Sequence, residues 1–308
     1  MGGVLIGFSL VWAIIALGYL LGRFRILGDD AQQVLSRFSF FVASPALLFE
    51  TISHADFHSV FGSAFWIIAG SALLAALVFV LISLLRRKPF DAELAVGTMT
   101  ASYANANNLG LPIAVYVLGN AALVAPVVIF QLAIYQPLFV VLIEVLRQRR
   151  SAPIGKILLS VIRNPLLIAA VAGVVVAASN WNPPELLFQP FALVGAAAVP
   201  SALIAFGISL RGFKPLAERG NRTGVLLATG VKLIVQPVLA YLLATLVFHL
   251  AGAAVFAAVV LAGLPTAQNV FVIASRYRIG LVQAKDTVLL STAIAVPAML
   301  VMAALLTH

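Results

Sequence analysis

Asn105, Asn107, Asn108 and Pro112 crowd into YANANNLGLPI, residues 103–113, a stretch otherwise apolar enough to lie in lipid. A second stretch, GLPTAQNVFVI at 263–273, sets Pro265 just ahead of Gln268 and Asn269. Proline removes a backbone donor and clashes with the carbonyl one turn earlier, so a helix is expected to break at Pro112 and again at Pro265. Amide side chains bring both donors and acceptors to such a break. Freed backbone groups persist in lipid only where protein or a water-filled cavity satisfies them. Each break also begins a half-helix, whose N-terminal end favours an anion. On helical spacing Asn105, Asn108 and Pro112 share one face, as do Pro265, Gln268 and Asn269, whereas Asn107 points elsewhere. A single kinked helix with amides is ordinary helix-to-helix glue. Two such breaks, each with amides, point to coordination of a small anion inside an apolar chain.

Lys232 is the one cation set apart from the polar joints. It follows Arg222 by ten residues, about 15 Å along a helix at about 1.5 Å per residue. A buried cation needs a partner, and every Asp and Glu reads as lying near a span end or in a joint. Two roles stay open: attracting a carboxylate substrate, or binding the carbonyls that end a broken half-helix. The same shortage of interior acids removes the usual carrier of protons or sodium, so coupling to Na+ or H+ is undecided. No cofactor is called for. His54, His58, His249 and His308 form no metal motif, no serine–histidine or paired-aspartate set suggests an enzyme, and the absence of cysteine removes disulfides and thiolate sites.

The elements that must hold these residues are membrane spans. Apolar residues make up 63% of the chain, charged residues 9%, and the mean hydropathy is +1.11, against about 45–50% apolar and about 25% charged in soluble domains. Ten apolar segments are read, at roughly 4–22, 35–53, 62–85, 92–117, 121–146, 161–179, 186–210, 223–249, 252–275 and 285–306, each suited to a hydrocarbon core about 30 Å thick. The net charge of +9 forms no basic face for nucleic acid. Its residues lie instead in alternate joints: Arg23, Arg25 and Arg37; Arg86, Arg87 and Lys88; Arg147, Arg149, Arg150, Lys156 and Arg163; Arg211, Lys214, Arg219 and Arg222; Arg276, Arg278 and Lys285. That alternation implies that both termini face outward. The first apolar run has no cation before it, which reads as a retained span.

Five spans per half would make any internal repeat an inverted one, with halves at 1–150 and 151–308. Pro45, Pro112 and Pro137 have counterparts in Pro200, Pro265 and Pro297. The expected fold class is therefore an all-α polytopic membrane protein of ten helices, an inverted five-plus-five repeat whose fourth and ninth helices are broken and cross at midplane, with N-out and C-out termini.

YANANNLGLPIAVYVLG at 103–119, APVVIFQLAIYQPL at 125–138 and GLPTAQNVFVIASRY at 263–277 resemble the auxin efflux carrier family of bacterial permeases, which includes malonate carriers and is related to plant PIN proteins. The resemblance covers essentially the whole chain. It implies a secondary carrier or facilitator of small mono- or dicarboxylates in the cytoplasmic membrane, working by an elevator-type shift and assembled as a homodimer in the lipid bilayer. It assigns Asn105, Asn108 and Pro112 to one side of the substrate site and Pro265, Gln268 and Asn269 to the other, with Lys232 added on its chemistry. Auxin itself is a poor guess, because the long central loop of plant relatives is missing. Sodium-coupled transport on the related bile-acid-carrier fold is the rival within the class. An anion channel is the rival outside it.

Overall fold

The computed structural model describes residues 2–54, 62–148, 155, 159, 162–179, 184–211, 216 and 221–306. Expectations attached to His58, Arg149, Arg150, Lys156, Lys214, Arg219 and His308 lie outside those residues. The helices, in chain order, are α1 (Gly2–Arg23), α2 (Ala31–Ser53), α3 (Ser63–Leu85), α4 (Ala92–Ser102), α5 (Leu111–Tyr116) and α6 (Ala121–Arg147). They continue as α7 (Pro165–Ala178), α8 (Leu186–Ser209), α9 (Arg222–Val247), α10 (Ala253–Ala262), α11 (Gln268–Tyr277) and α12 (Leu281–Leu306).

The all-α membrane class stands, but the ten expected spans do not. Among the described residues five helices are long and apolar enough to cross a membrane, namely α2, α3, α6, α8 and α9, while the part of α1 over Ser9–Arg23 counts as a shorter apolar helix. A sixth is reached if the two parts of α12, Leu281–Ala295 and Pro297–Leu306, bent by 46°, count as one. Hydropathy counts apolar letters and does not register where a helix stops. The apolar run 92–117 is interrupted at 103–105, and the run 252–275 is interrupted at 263–267, leaving α10 and α11 with 10 residues each. Helix α7 has 14 residues, about 21 Å at 1.5 Å per residue and short of a core about 30 Å thick. The inverted repeat and the outward placement of both termini rest on the count of ten and fall with it.

Proline acts differently from expectation in several helices. Among the described residues, four of five π-helical turns end two residues before a proline: Ser39–Ala43 before Pro45, Ala106–Gly110 before Pro112, Phe130–Tyr135 before Pro137, and Val231–Val235 before Pro237. In a π turn the donor reaches five residues back, as Ser44 N–H does to Ser39 and Gln236 N–H to Val231. The wider turn absorbs the missing N–H and gives the pyrrolidine ring room, so the helix continues. Pro112 therefore sits in the first turn of α5 rather than at a break, and only Pro265 of the expected pair lies in one.

The chain divides into two compact units, each assembled from separated stretches. The first, Met1–Ala64, Ala106–Ile129 and Ile162–Phe213, is held by close apolar packing. A Cβ added at Gly18 would lie 2.5 Å from the Ile204 carbonyl oxygen, and one at Gly207 would lie 2.2 Å from that of Ile15. Helices α1 and α8 thus meet backbone to backbone. Gly173 and Gly195 similarly let α7 and α8 approach Ile52 and Leu47 of α2. The buried polar residues described in this unit are Ser39, Ser44 and Ser201. The second unit, Phe65–Asn105, Phe130–Val161 and Lys214–His308, has a different interior. Its buried polar groups include Thr98, Thr100, Ser102, Asn105, Gln131, Lys232, Gln236, Thr266, Gln283, Asp286, Thr287 and Ser291. Burying polar groups costs free energy unless each is paired, so the second unit is where function is to be sought.

Candidate functional site: two paired breaks

The chain leaves helical geometry at Tyr103–Asn105, after α4, and again at Gly263–Ala267, between α10 and α11. The two irregular stretches meet. Ala104 and Thr266 form an antiparallel bridge, with Asn105 N–H donating to the Pro265 carbonyl at 2.8 Å and Ala267 N–H donating to the Tyr103 carbonyl at 3.1 Å. Every buried backbone group in such a place needs a partner, and side chains from the surrounding helices supply the rest. The Thr266 N–H donates to Ser291 Oγ at 3.1 Å, and the Thr266 hydroxyl donates to the Thr100 carbonyl at 2.6 Å. Gln131 of α6 serves Ala104 twice. Its amide, oriented so that donors meet acceptors, donates to the Ala104 carbonyl and accepts from the Ala104 N–H, both at 2.8 Å.

Lys232 completes the set. It is fully buried, and its Nζ donates to the carbonyl of Ala262, the last residue of α10, at 2.7 Å. The ammonium therefore stands at the negative end of that helix and satisfies a carbonyl with no intrahelical partner. This is the geometry of the helix-end alternative, and it answers how a buried cation can do without a carboxylate.

Two tyrosines border the pairing. The Ser102 hydroxyl donates to the Thr98 carbonyl at 2.6 Å, so the Tyr135 hydroxyl, 2.6 Å away, donates to Ser102. The Tyr103 hydroxyl donates to Gln136 Oε1 at 2.9 Å and also lies within hydrogen-bonding reach of the Asn269 side chain. With the phenolic proton given to Gln136, the Asn269 amide is the donor. Gln268 and Asn269 are half-buried in the first turn of α11, where N–H groups remain available to an anion.

The second unit thus brings together Asn105, Lys232, Pro265, Gln268 and Asn269. Asn108 and Pro112 belong to the first unit, where Asn107 Nδ2 donates to Asn108 Oδ1 at 2.9 Å and Pro112 is buried. Asn105 lies in the extended break, so the single helical face expected for Asn105, Asn108 and Pro112 does not form. The sequence reading passed over Tyr103, Tyr135, Thr266 and Ser291, which carry no signal in hydropathy or spacing. Asp286, expected in or beside a joint, lies in the second turn of α12, where its buried side chain accepts from the Leu216 N–H at 3.1 Å.

Replacing Gln131 by Leu tests the backbone pairing. The substitution orphans both polar groups of Ala104, at about 1–3 kcal/mol for each. A clear fall in the unfolding temperature of detergent-solubilised protein is expected, and an unchanged value would show that Ala104 does not depend on Gln131.

A family model described as "Membrane transport protein" matches residues 9–303. A protein of Rhizobium meliloti (strain 1021), described as a putative malonate transporter, is 29% identical over 293 residues, covering 92% of this chain and 90% of that protein.

Proposed function

Because the chain belongs to the membrane transport protein family, as a multi-pass protein of the membrane and not an enzyme, we propose that it carries small mono- or dicarboxylates of the malonate kind across the cytoplasmic membrane. The observation that carries this reading is the pair of hydrogen-bonded breaks in the polar unit, from which α11 starts with Gln268 and Asn269 half-buried. Irregular backbone inside a membrane protein is tolerated where it is buried in protein or lines a cavity, and a helix that begins there directs its N–H groups at an anion. Asn105, Lys232 and Pro265 frame the site, while Gln268 and Asn269 touch the substrate. The relative described as a malonate transporter supports a short dicarboxylate. The division into two compact units supports elevator-type movement, with the polar unit as the moving part.

Uptake and counterflow in proteoliposomes, with a panel of mono- and dicarboxylates and with sodium and pH gradients applied or removed, test the proposal. Saturable uptake with exchange of internal for external malonate is expected. Flux that grows linearly with concentration and shows no exchange would replace the carrier with a channel, and strict dependence on sodium would move it to the symporter reading. Asn269→Ala should raise the KM for malonate about tenfold or more, the usual effect of losing a hydrogen bond to a charged group. A KM equal to that of the unaltered protein would remove Asn269 from the site.

A further inference from the structure

The basic residues that marked the joints in the sequence do more than alternate. Arg86 and Lys88, between α3 and α4, line a cavity of about 320 Å³ together with Glu93, Asn221, Thr223 and Gln283. That volume is at the small end of the range of about 300–1,000 Å³ for ligand pockets. A neighbouring cavity shares Lys88, Glu93 and Asn221 and adds Arg278. The cations Arg86, Lys88 and Arg278 thus face one region against two acids, Asp91 and Glu93. Asp91 is already committed, its Oδ1 accepting from the Leu94 N–H at 2.9 Å to cap α4. Among the described residues the ion pairs are Arg25–Asp29 and His54–Glu50, so none of these cavity charges is neutralised by another.

Two features at the floor of the cavity also call for an anion. Helix α9 begins there with Asn221 at its N-cap position, yet that side chain makes no capping bond and no acid stands in the first turn. The positive end of the α9 dipole therefore faces the cavity without an acid to offset it. Gln283 of α12 is 7% exposed, and its buried Nε2 has no hydrogen-bond partner. A Cβ at Gly97 would come within 2.8 Å of Gln283 Nε2, and one at Gly224 within 3.2 Å of its Oε1. The glycines make the slot that admits this amide. A buried donor left unmade is costly unless a ligand completes it.

We propose that this cavity is a second anion site, separate from the paired breaks, that takes a small dicarboxylate as it enters or leaves the carrier. One carboxylate is held by Arg86 and Lys88. The other meets the start of α9 and the Gln283 amide. The inference rests on the transport reading for the identity of its ligand, and on the cavity alone for its existence.

Initial rates of malonate uptake in vesicles of both orientations test it, using Arg86→Gln, Lys88→Gln and, as a charge-matched control in the same joint, Arg87→Gln. The expected result is a KM raised about fivefold or more for Arg86→Gln and Lys88→Gln in one vesicle orientation only, with the maximal rate and the Arg87→Gln kinetics kept. An unchanged KM, an equal rise in both orientations, or an equal rise in Arg87→Gln would each overturn the site. A KM effect that vanishes when the vesicles contain phosphatidylcholine alone would assign the cavity to an anionic lipid headgroup and overturn it as well. Should the unaltered protein carry no malonate, the transport reading falls. The cavity is then judged by the malonate-induced rise in unfolding temperature, which Arg86→Gln and Lys88→Gln must abolish for the site to stand.

Discussion

Leucine in place of Gly207 is expected to leave little folded protein to purify. The Cβ of any side chain at this position would lie 2.2 Å from the Ile15 carbonyl oxygen, 2.7 Å from the Tyr19 nitrogen and 2.8 Å from the Gly18 Cα. All three are backbone atoms, so no rotamer change in a neighbour relieves the clash. The two helices must part, and the approach of Gly18 to the Ile204 carbonyl is lost with it. Overpacking a core with side-chain neighbours costs about 1–3 kcal/mol. Gly207→Ala should reach or exceed the upper end of that range, and Gly207→Leu should go well beyond it. Gly230 is the matched control, because nothing lies within 4 Å of its added Cβ. Gly230→Ala should be tolerated and even favoured, since Ala exceeds Gly in helix propensity by about 1 kcal/mol. Size-exclusion profiles and unfolding temperatures in detergent decide the matter. A monodisperse Gly207→Leu with the unfolding temperature of the unaltered protein would show that α1 and α8 do not need their close crossing.

That crossing had no advance signal in the sequence, since Gly18 and Gly207 lie in different apolar runs and nothing in either names the other. The membrane class was legible, because composition alone forbids a polar skin. The two amide-bearing stretches were legible as well, since Asn, Gln and Pro stand out against an apolar background. What was not legible was where the backbone departs from a helix. Pro112 and Pro265 look alike in sequence, yet the π turn Ala106–Gly110 carries the chain smoothly into the first, while the second lies between two helices in a bridge to Tyr103 and Asn105. A proline states only that one donor is missing. Whether a wider turn or a partner strand makes good the loss depends on what packs alongside, here Gln131, Ser291 and Thr100. The span count failed for the same reason.

Lys232→Met is expected to lower malonate uptake at least about a hundredfold and to lower the unfolding temperature as well. Methionine matches the length and apolar stem of lysine but cannot donate. The Ala262 carbonyl would lose the Nζ that now lies 2.7 Å away, leaving a buried acceptor unmade at about 1–3 kcal/mol. The damage falls on the stretch that matters most, because Ala262 ends α10 three residues before Pro265, whose carbonyl receives the Asn105 N–H. If the end of α10 unwinds, the start of α11 shifts with it, and Gln268 and Asn269 leave their positions. Lys232→Gln retains a donor and should recover part of both uptake and stability. A lysine that served only as an electrostatic lure for the substrate would behave otherwise. Met and Gln would then abolish uptake equally, with the unfolding temperature unchanged, and the helix-end role would fall. The geometry favours the positioning role, since the ammonium is fully buried and already engaged at a helix C-terminus, where a cation is stabilised by the helix itself.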